Sequence, residues 1–232
     1  MVDYRAILRK LLNVLPAQPP VLSVTADFEA ALWQAVREVL GDGVQLRGCA
    51  FHIGQALFRK VQELGLQRWY NMDEATNRYC RNVMCLSMLP AMHITPTFDQ
   101  LNQQCPDDAL QQWMDYVDTT WICGAVWTPT DWSLYGRAIR TNNDVEGWHH
   151  RINTKARKHG RYSFYQLCGL LAEEARLVTV QTRLIGQHKL RRRQRTVYRR
   201  VQGRIFELWD RYDAGDISVM HLLRHVSRVY GP

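Results

Sequence analysis

The sequence VLSVTADFEAALWQAVREVLGDGVQLRGCAFH, residues 21–52, decides the fold class of this chain. Residues 21–25 form a short, partly β-branched apolar run that is typical of a buried strand, and this strand ends at Asp27. The apolar spacing of residues 28–40 predicts a helix, which a Gly-Asp-Gly turn closes, and residues 44–51 predict a second strand. A further helix is predicted before this stretch. Helix, strand, helix and strand in this order are typical of an α/β sheet.

Beyond residue 52 the pattern changes to helices alone. A loop rich in Trp and Pro lies between the third and fourth helices of this part, and a turn at Gly215 precedes the last helix of the chain. The fold class predicted is therefore α/β but mostly helical, with two strands. The other helices are predicted over residues 3–15, 53–64, 71–89, 106–123 and 163–181, and over RTNNDVEGWHHRINTKARK (140–158), which is entered at residues 141–144.

Length and composition indicate one globular domain, or one domain with an appendage. The 232 residues are 46% apolar, which suffices for a core without disulfides or a structural metal. No stretch approaches the ~18–20 apolar residues of a membrane span, and Arg5, Arg9 and Lys10 interrupt the run that a signal peptide needs. We therefore expect no membrane partner and no secretion. The six cysteines are expected to be thiols in a nuclear or cytoplasmic protein.

Positive charge is concentrated in one segment near the C-terminus. The chain carries 30 Lys and Arg against 22 Asp and Glu, a net charge of +8. No acidic residue lies between Glu174 and Glu207, and this basic segment (residues 175–206) holds ten positive charges, which leaves +8 − 10 = −2 for the rest. Its cationic residues are Arg176, Arg183, Lys189, Arg191, Arg192, Arg193, Arg195, Arg199, Arg200 and Arg204.

Two interpretations of the basic segment stay open. Apolar residues recur in it at helical spacing, so the arginines lie on the outer face of one long helix or two consecutive ones, as they would on any solvated helix. Like charges at i, i+4 spacing weaken a helix, however, unless a polyanion supplies counter-charge, and Arg grips phosphate bidentately. This favours a nucleic acid, bound through its backbone without sequence readout. The apolar residues are Leu177, Val180, Leu184, Val197, Val201, Ile205 and Leu208.

Polar residues follow each predicted strand. Asp27 lies where an open α/β sheet presents functional side chains, although the N-cap of the next helix is a simpler role for it. Cys49 and His52 form a Cys-x-x-His pair at the end of the second strand, which is half of a zinc site by spacing. The other half is not evident, so zinc is not expected, and the alternative is that the pair orders the site locally. Because adjacent strands bring their ends together, we expect the pair beside Asp27.

Glu146 is the second candidate carboxylate. With Asn143 it fits a capping box, in which the Glu reaches back to the start of its own helix. It also begins a polar row on one helix face, opposite an apolar face, and such a row is a plausible edge of an active site. The polar row is Glu146, His149, His150 and Asn153, and the apolar face is Val145, Trp148 and Ile152.

Three motifs follow one another along the chain: TADFEAAL (25–32), GCAFH (48–52) and RTNNDVEGWHHRIN (140–153). In this order they resemble the transposases of Mutator-like elements, within the larger set of proteins that have a ribonuclease-H-like core. The resemblance extends over most of the chain, and the three motifs together are specific where each alone would be weak. It implies a partial ribonuclease-H-like core (1–52), an all-α insertion (53–140), core helices with the Glu motif (141–182) and a basic helical tail (183–232).

In that family three carboxylates, Asp, Asp and Glu, hold two divalent metal ions, Mg²⁺ or Mn²⁺, which drive DNA strand cleavage and transfer. The resemblance implies that Asp27 is the second Asp and Glu146 the Glu, both catalytic and both metal ligands. Several acidic oxygens must converge there because each ion brings two positive charges to a polyanionic substrate. It also assigns Cys49, His52, Asn142, Asn143 and His149 to the family motifs around these carboxylates. DNA is then the partner of Arg183, Lys189, Arg191, Arg192, Arg193, Arg195, Arg199, Arg200 and Arg204, and a homo-oligomer is left open.

One feature departs from the family pattern. The family's first Asp belongs to a strand before the helix that begins here at Tyr4, and Asp3 lies on the wrong element to replace it. We therefore expect the carboxylate triad to be incomplete and strand cleavage to be absent from this chain. The alternative function is a non-enzymatic nucleic-acid-binding or interaction protein derived from a transposon, in which Asp27 and Glu146 are relics.

Overall fold

The computed structural model describes residues 3–15, 17, 19–138, 140, 143–158, 163–187 and 196–230, and of residues 143–144, 157–158 and 196–198 the backbone alone. The described residues are mostly helical and include a two-stranded parallel sheet, as predicted. The strands are β1 (Ser23–Ala26) and β2 (Gln45–Gly48). The helices are α1 (Tyr4–Val14), α2 (Ala30–Leu40), α3 (Ala50–Glu63), α4 (Gln67–Met72), α5 (Glu74–Met84), α6 (Ala91–Gln103), α7 (Asp108–Val117), α8 (Pro129–Trp132), α9 (Asn143–Lys158), α10 (Phe164–Gly186), α11 (Thr196–Asp213) and α12 (Val219–Val229), with a 3₁₀ helix at Cys85–Met88 and a π-helical turn at Asp118–Ile122.

The chain divides into two compact units. The main unit comprises Met1–Thr141 together with Arg200–Pro232, and the smaller unit comprises Asn142–Arg199. The sheet, α1 to α8, α12 and most of α11 belong to the main unit, and α9 and α10 form the smaller one. Residues 200–230 thus cluster with the helices of the predicted insertion, while the domain division drawn from the sequence stays a prediction.

The strands β1 and β2 pair in parallel, with Ser23 opposite Gln45 and Ala26 opposite Gly48. Parallel neighbours need a crossover connection, and α2 provides it. Helix α1 packs on α2, and Arg5 of α1 forms an ion pair with Glu38 of α2 at 3.4 Å. The predicted order of helix, strand, helix and strand is therefore confirmed.

An aromatic cluster fastens this sheet to the helices of the main unit. The ring of Phe28 contacts Trp121 edge-on, with 4.7 Å between ring centroids, and Trp127 edge-on at 5.5 Å. It also stacks on Trp33 at 6.1 Å. The ring lies so close to Gly48 that a Cβ at this position would come within 2.2 Å of Phe28 Cζ. Glycine at the end of β2 is therefore a packing requirement.

Gly48→Ala is expected to destabilise the main unit by about 1–3 kcal/mol, because the added Cβ pushes Phe28 against Trp121 and Trp127. Urea unfolding followed by tryptophan fluorescence measures the change. Gly54→Ala in α3, where a Cβ meets nothing within 4 Å, is the matched control and is expected to be neutral or to stabilise the helix by at most about 1 kcal/mol. Equal midpoints for the two variants would contradict a packing role for Gly48.

Indole groups tie the helices of the main unit together. Trp113 of α7 donates its Nε1–H to the carbonyl of Leu57 at 3.1 Å, and Trp209 of α11 donates to the carbonyl of Met88 at 3.0 Å. Leu222, Leu223 and Val226 of α12 and Ile205 of α11 belong to the same buried core. The last two helices are thus structural parts of the main unit.

The helical region is more finely divided than the sequence predicts. Residues 71–89 are split, because Asp73 caps α5 by accepting a hydrogen bond from the amide of Thr76 at 2.7 Å. Helix α6 was not predicted, since Pro96 lies in its interior and interrupts the helical signal. The loop rich in Trp and Pro contains the short helix α8.

Candidate functional site

Asp27 and His52 meet at the carboxyl end of the sheet. Asp27 follows β1 directly, and its Oδ1 lies 2.9 Å from His52 Nδ1. The Asp27 side chain is 47% exposed and that of His52 is 21% exposed, so the pair lies at an accessible edge. The proximity predicted from the order of the strands is therefore confirmed, while the catalytic role of Asp27 stays a prediction.

The Cys-x-x-His pair begins directly after β2, as the sequence predicts, but this strand is shorter than predicted and His52 lies in a helix. Strand β2 ends at Gly48, because the amide of Ala50 donates to the carbonyl of Arg140 at 2.8 Å and does not continue the ladder. Cys49 is the N-cap residue of α3 and is fully buried. His52 lies in the first turn of α3, and this early helix start brings its ring to Asp27.

The backbone around Asp27 is held by two hydrogen bonds. Its carbonyl accepts from the indole Nε1–H of Trp33 at 2.7 Å and from the amide of Glu29 at 2.9 Å. Glu29, not Asp27, occupies the N-cap position of α2. Asp27 therefore does not occupy the capping position weighed for it, and its carboxylate lies against His52.

Two further residues beside Asp27 were not predicted from the sequence. Tyr4 of α1 donates its hydroxyl to Glu29 Oε2 at 2.8 Å. The hydrogen bond to Glu29 raises the pKa of Tyr4, and the negative charge of Asp27 raises it further. The sequence pattern assigns Tyr4 only to the apolar face of its helix. For Glu29, the one feature that could have indicated a place near Asp27 was its position two residues later in the chain. The edge of the sheet therefore carries two neighbouring carboxylates.

Arg140, the first residue of the third motif, supports the same edge. Besides accepting from Ala50, it places its guanidinium over the rings of Trp209 at 5.8 Å and Tyr230 at 5.9 Å. Burial lowers the pKa of Arg140. The start of α3, which carries His52, is thus linked through Arg140 to α11.

Helix α9 of the smaller unit presents the polar row that the sequence predicts. Ile152 is buried and Trp148 half-buried, as expected for the apolar face, whereas Val145 is 51% exposed. Asn142 and the side chain of Asn143 lie outside the described residues, so the capping box stays a prediction. The exposed polar residues are Glu146, His149, His150 and Asn153.

A buried acid on α10 fixes α9. Glu174 is 2% exposed, and it pairs with Arg151 and with Lys155 Nζ, the latter at 2.7 Å from Glu174 Oε1. The hydrogen bond from Lys155 holds the pKa of Glu174 below its usual value, with Arg151 adding to the effect. From the sequence, Glu174 marked only the limit of the basic segment. The one signal in the sequence was its place four residues after Leu170, on the same helix stripe.

The described part of the basic segment is accessible. Val201 and Leu208 are half-buried and Ile205 is buried, so the inner face of α11 is as predicted. Among the described residues no acidic side chain pairs with any of its arginines. The exposed arginines are Arg176, Arg183, Arg199, Arg200 and Arg204, whereas Lys189, Arg191, Arg192, Arg193 and Arg195 lie outside the described residues.

Helix α10 departs from its predicted pattern. Leu177 and Val180, expected on a buried face, are 46% and 54% exposed. The stripe that α10 turns toward α9 instead contains Leu170, which is buried, and Glu174. An ion pair at the centre of the contact replaces part of the apolar packing that the periodicity predicts.

Comparisons with protein-family models, with curated proteins and with solved structures find no match to this chain. Within the residues that the structure describes, no group of three or more His, Cys, Asp or Glu side chains could hold a metal ion. Among the same residues, no helix has the length and apolar character needed to cross a membrane.

Proposed function

We propose that this chain is a DNA-binding protein of the Mutator-like transposase class, with β1, β2 and their flanking helices as part of a ribonuclease-H-like core. The observation that carries the proposal is the 2.9 Å approach of Asp27 Oδ1 to His52 Nδ1. These residues come from the first and second motifs, and their convergence on one sheet edge is what a functional site of this class requires. A DNA partner places the protein in the nucleus or the cytoplasm.

DNA binding rests on the basic segment. Its arginines outnumber its single lysine, and their planar forks match phosphate oxygens bidentately. Arg199, Arg200 and Arg204 of α11 are exposed while the opposite face of the helix packs into the main unit. This geometry displays several guanidinium groups on a supported helix, which favours contact with a backbone of regularly spaced charges.

By the resemblance, Asp27 of the main unit and Glu146 of the smaller unit are each a candidate ligand of Mg²⁺ or Mn²⁺. Carboxylate oxygens are the ligands that these ions prefer, and both carboxylates are accessible. A bound ion supplies Lewis-acid stabilisation of the charge that develops at the phosphate. His52 would orient Asp27 through their 2.9 Å contact, and Glu174 would hold the helix that carries Glu146.

The variant Arg199→Ala/Arg200→Ala/Arg204→Ala tests the DNA-binding proposal. We expect the slope of log Kd for duplex DNA against log salt to fall in this variant. The fall is about 0.9 for each phosphate that is no longer neutralised, and about 2.7 when all three contacts are lost. Fluorescence anisotropy with a labelled duplex at several salt concentrations measures the slope. The matched control is Arg9→Ala/Arg59→Ala/Arg68→Ala, which removes equal charge from exposed positions elsewhere. Identical slopes for both variants would remove the basic segment from the proposal.

Adding Mg²⁺ or Mn²⁺ to the same complexes separates the enzymatic from the non-enzymatic function. Cleavage of the duplex that disappears in Asp27→Ala and in Glu146→Ala would show that the chain holds a working site. Binding without cleavage, unchanged in both variants, is expected both for a transposase-class chain without cleavage activity and for the alternative of a transposon-derived binding protein. The absence of duplex binding by the unaltered chain would reject both.

A further inference from the structure

Helices α5 and α12 of the main unit form the two walls of a groove. Ser227 of α12 donates its hydroxyl to Asn82 Oδ1 of α5 at 2.7 Å, and both residues are buried. Beside them, the thiol of Cys85 donates to the carbonyl of Tyr230 at 2.8 Å. Leu222, on the inner face of α12, is fully buried. The walls are therefore held in place without a ligand.

Three adjoining cavities lie along these walls, and the cationic residues that line them overlap. Arg228 lines all three, whose volumes are about 380, 230 and 340 Å³. Arg224 lines the first and second, and Arg78 lines the first and third. Because they share these residues, the three cavities are described together as the α5–α12 groove. Its arginine and histidine lining residues are Arg78, Arg81, His221, Arg224, His225 and Arg228.

The groove is strongly cationic. Its four arginines face one lining carboxylate, Glu74, which pairs with Arg78 at 2.5 Å, so the lining carries 4 − 1 = +3 with neutral histidines. Burial lowers the pKa of His225, and the charges of neighbouring groups, among them Arg228 and Arg211, lower it further. This potential repels metal cations and attracts anions.

The arginine and histidine side chains that α12 contributes follow one helix face. Positions 221, 224, 225 and 228 are spaced i, i+3, i+4 and i+7, and the rings of His221 and His225 stack with 4.7 Å between centroids. With a rise of 1.5 Å per residue this row is about 10 Å long, which spans several charges of a nucleic-acid backbone and exceeds a single small anion. The guanidinium groups at positions 224 and 228 can bind phosphate oxygens bidentately, as they can carboxylates, so it is the length of the row that favours a polyanion.

We propose that the α5–α12 groove is a second binding surface for the phosphate backbone of a nucleic acid, separate from the basic segment. The choice of nucleic acid as the polyanion rests on the proposed function. The groove lies outside the three motifs and outside the run of basic residues. Its role is to hold a backbone segment through Arg224 and Arg228, without sequence readout.

The test uses the full chain with Arg224→Ala/Arg228→Ala, both exposed positions, and a labelled duplex in anisotropy titrations at several salt concentrations. We expect Kd to rise roughly tenfold at low salt and the slope of log Kd against log salt to fall by about 1.8, because two phosphates are no longer neutralised. The matched control, Arg59→Ala/Arg68→Ala, removes the same charge from exposed positions of α3 and α4 and is expected to change the slope less. Arg224→Lys/Arg228→Lys keeps the charge and is expected to retain the slope.

Four outcomes are distinguishable. In the first, the slope of log Kd against log salt is unchanged in Arg224→Ala/Arg228→Ala but reduced in Arg199→Ala/Arg200→Ala/Arg204→Ala. This result overturns the proposal for the groove and leaves the proposed function in place. The reverse result supports the groove and rejects the basic segment. Failure of the unaltered chain to bind duplex DNA rejects both proposals. Tighter groove-dependent binding of labelled polyglutamate than of DNA overturns the nucleic-acid assignment and identifies an acidic protein segment as the ligand.

Discussion

Trp209→Ala is expected to lower the free energy of unfolding of the main unit by about 3–5 kcal/mol. The Trp209 side chain is 2% exposed, and its Nε1–H bonds to the carbonyl of Met88 at 3.0 Å. The rings of Tyr135 and Phe206 both pack against it with 5.2 Å between centroids. Alanine would leave a cavity between these rings and a buried carbonyl without its donor, and both effects destabilise the folded state.

Urea unfolding followed by far-ultraviolet circular dichroism measures this change without relying on the fluorescence of the removed residue. Trp69→Ala is the matched control, since Trp69 of α4 is 62% exposed, and it is expected to change stability by no more than about 0.5 kcal/mol. Equal destabilisation by the two substitutions would show that α11 is not anchored in the core of the main unit.

The same substitution is expected to reach the candidate site. Arg140 lies over the Trp209 ring, and its carbonyl accepts from the amide of Ala50 at the start of α3. Removing the ring frees the Arg140 side chain, which weakens the hydrogen bond from the Ala50 amide to the Arg140 carbonyl. Hydrogen exchange at this amide should then be faster than in the unaltered protein, compared under conditions where both are folded to the same extent. Unchanged protection of this amide would limit the role of Trp209 to global stability. The C-terminal helices would then support the fold without positioning His52.

Local periodicity suffices to predict the first part of the fold. The strands β1 and β2 are short apolar runs bounded by turn residues, and α2 ends at a glycine with φ of 81°. The meeting of Asp27 and His52 follows from these elements, because parallel strands end at one edge. The end of β2 could not be predicted, since it depends on a hydrogen bond from Ala50 to Arg140, which is remote in sequence.

The features that were not predicted depend on contacts between distant residues. Helix α6 has a proline in its interior and is stabilised by burial of Ile94, Phe98 and Leu101. The apolar periodicity of the segment alone does not include this contribution from packing against other helices. Glu174 carries a charge that favours exposure on any hydropathy pattern, and only its two cationic partners explain its burial. The α5–α12 groove likewise could not be predicted from the sequence, because its arginines come from two helices that are remote in sequence.

Glu174→Ala is expected to abolish the protection of α9 against hydrogen exchange, which would be the largest effect of one substitution on the smaller unit. Arg151 and Lys155 both form ion pairs with the Glu174 carboxylate. Among the described acids of this unit, Glu174 alone pairs with them. Glu173→Ala is the matched control, because Glu173 is the adjacent residue of α10 and is exposed. Equal protection of α9 in both variants would contradict a role for Glu174 in holding the helix.

The pH dependence of that protection gives an independent test with a definite sign. Hydrogen bonding to Lys155 lowers the pKa of Glu174 in the folded state, so its stabilising contribution is complete above the ordinary carboxyl pKa of about 4.3 and is lost as pH falls through the lowered value. We expect α9 to lose protection in this acid range, and Glu174→Gln, which cannot ionise, to lack that part of the pH dependence. An identical acid transition in Glu174→Gln would assign it to another carboxylate. Because α9 also carries Glu146 and His149, loss of the Glu174 ion pairs should disorder the polar row, and Mg²⁺- or Mn²⁺-dependent chemistry, where present, would fail with it.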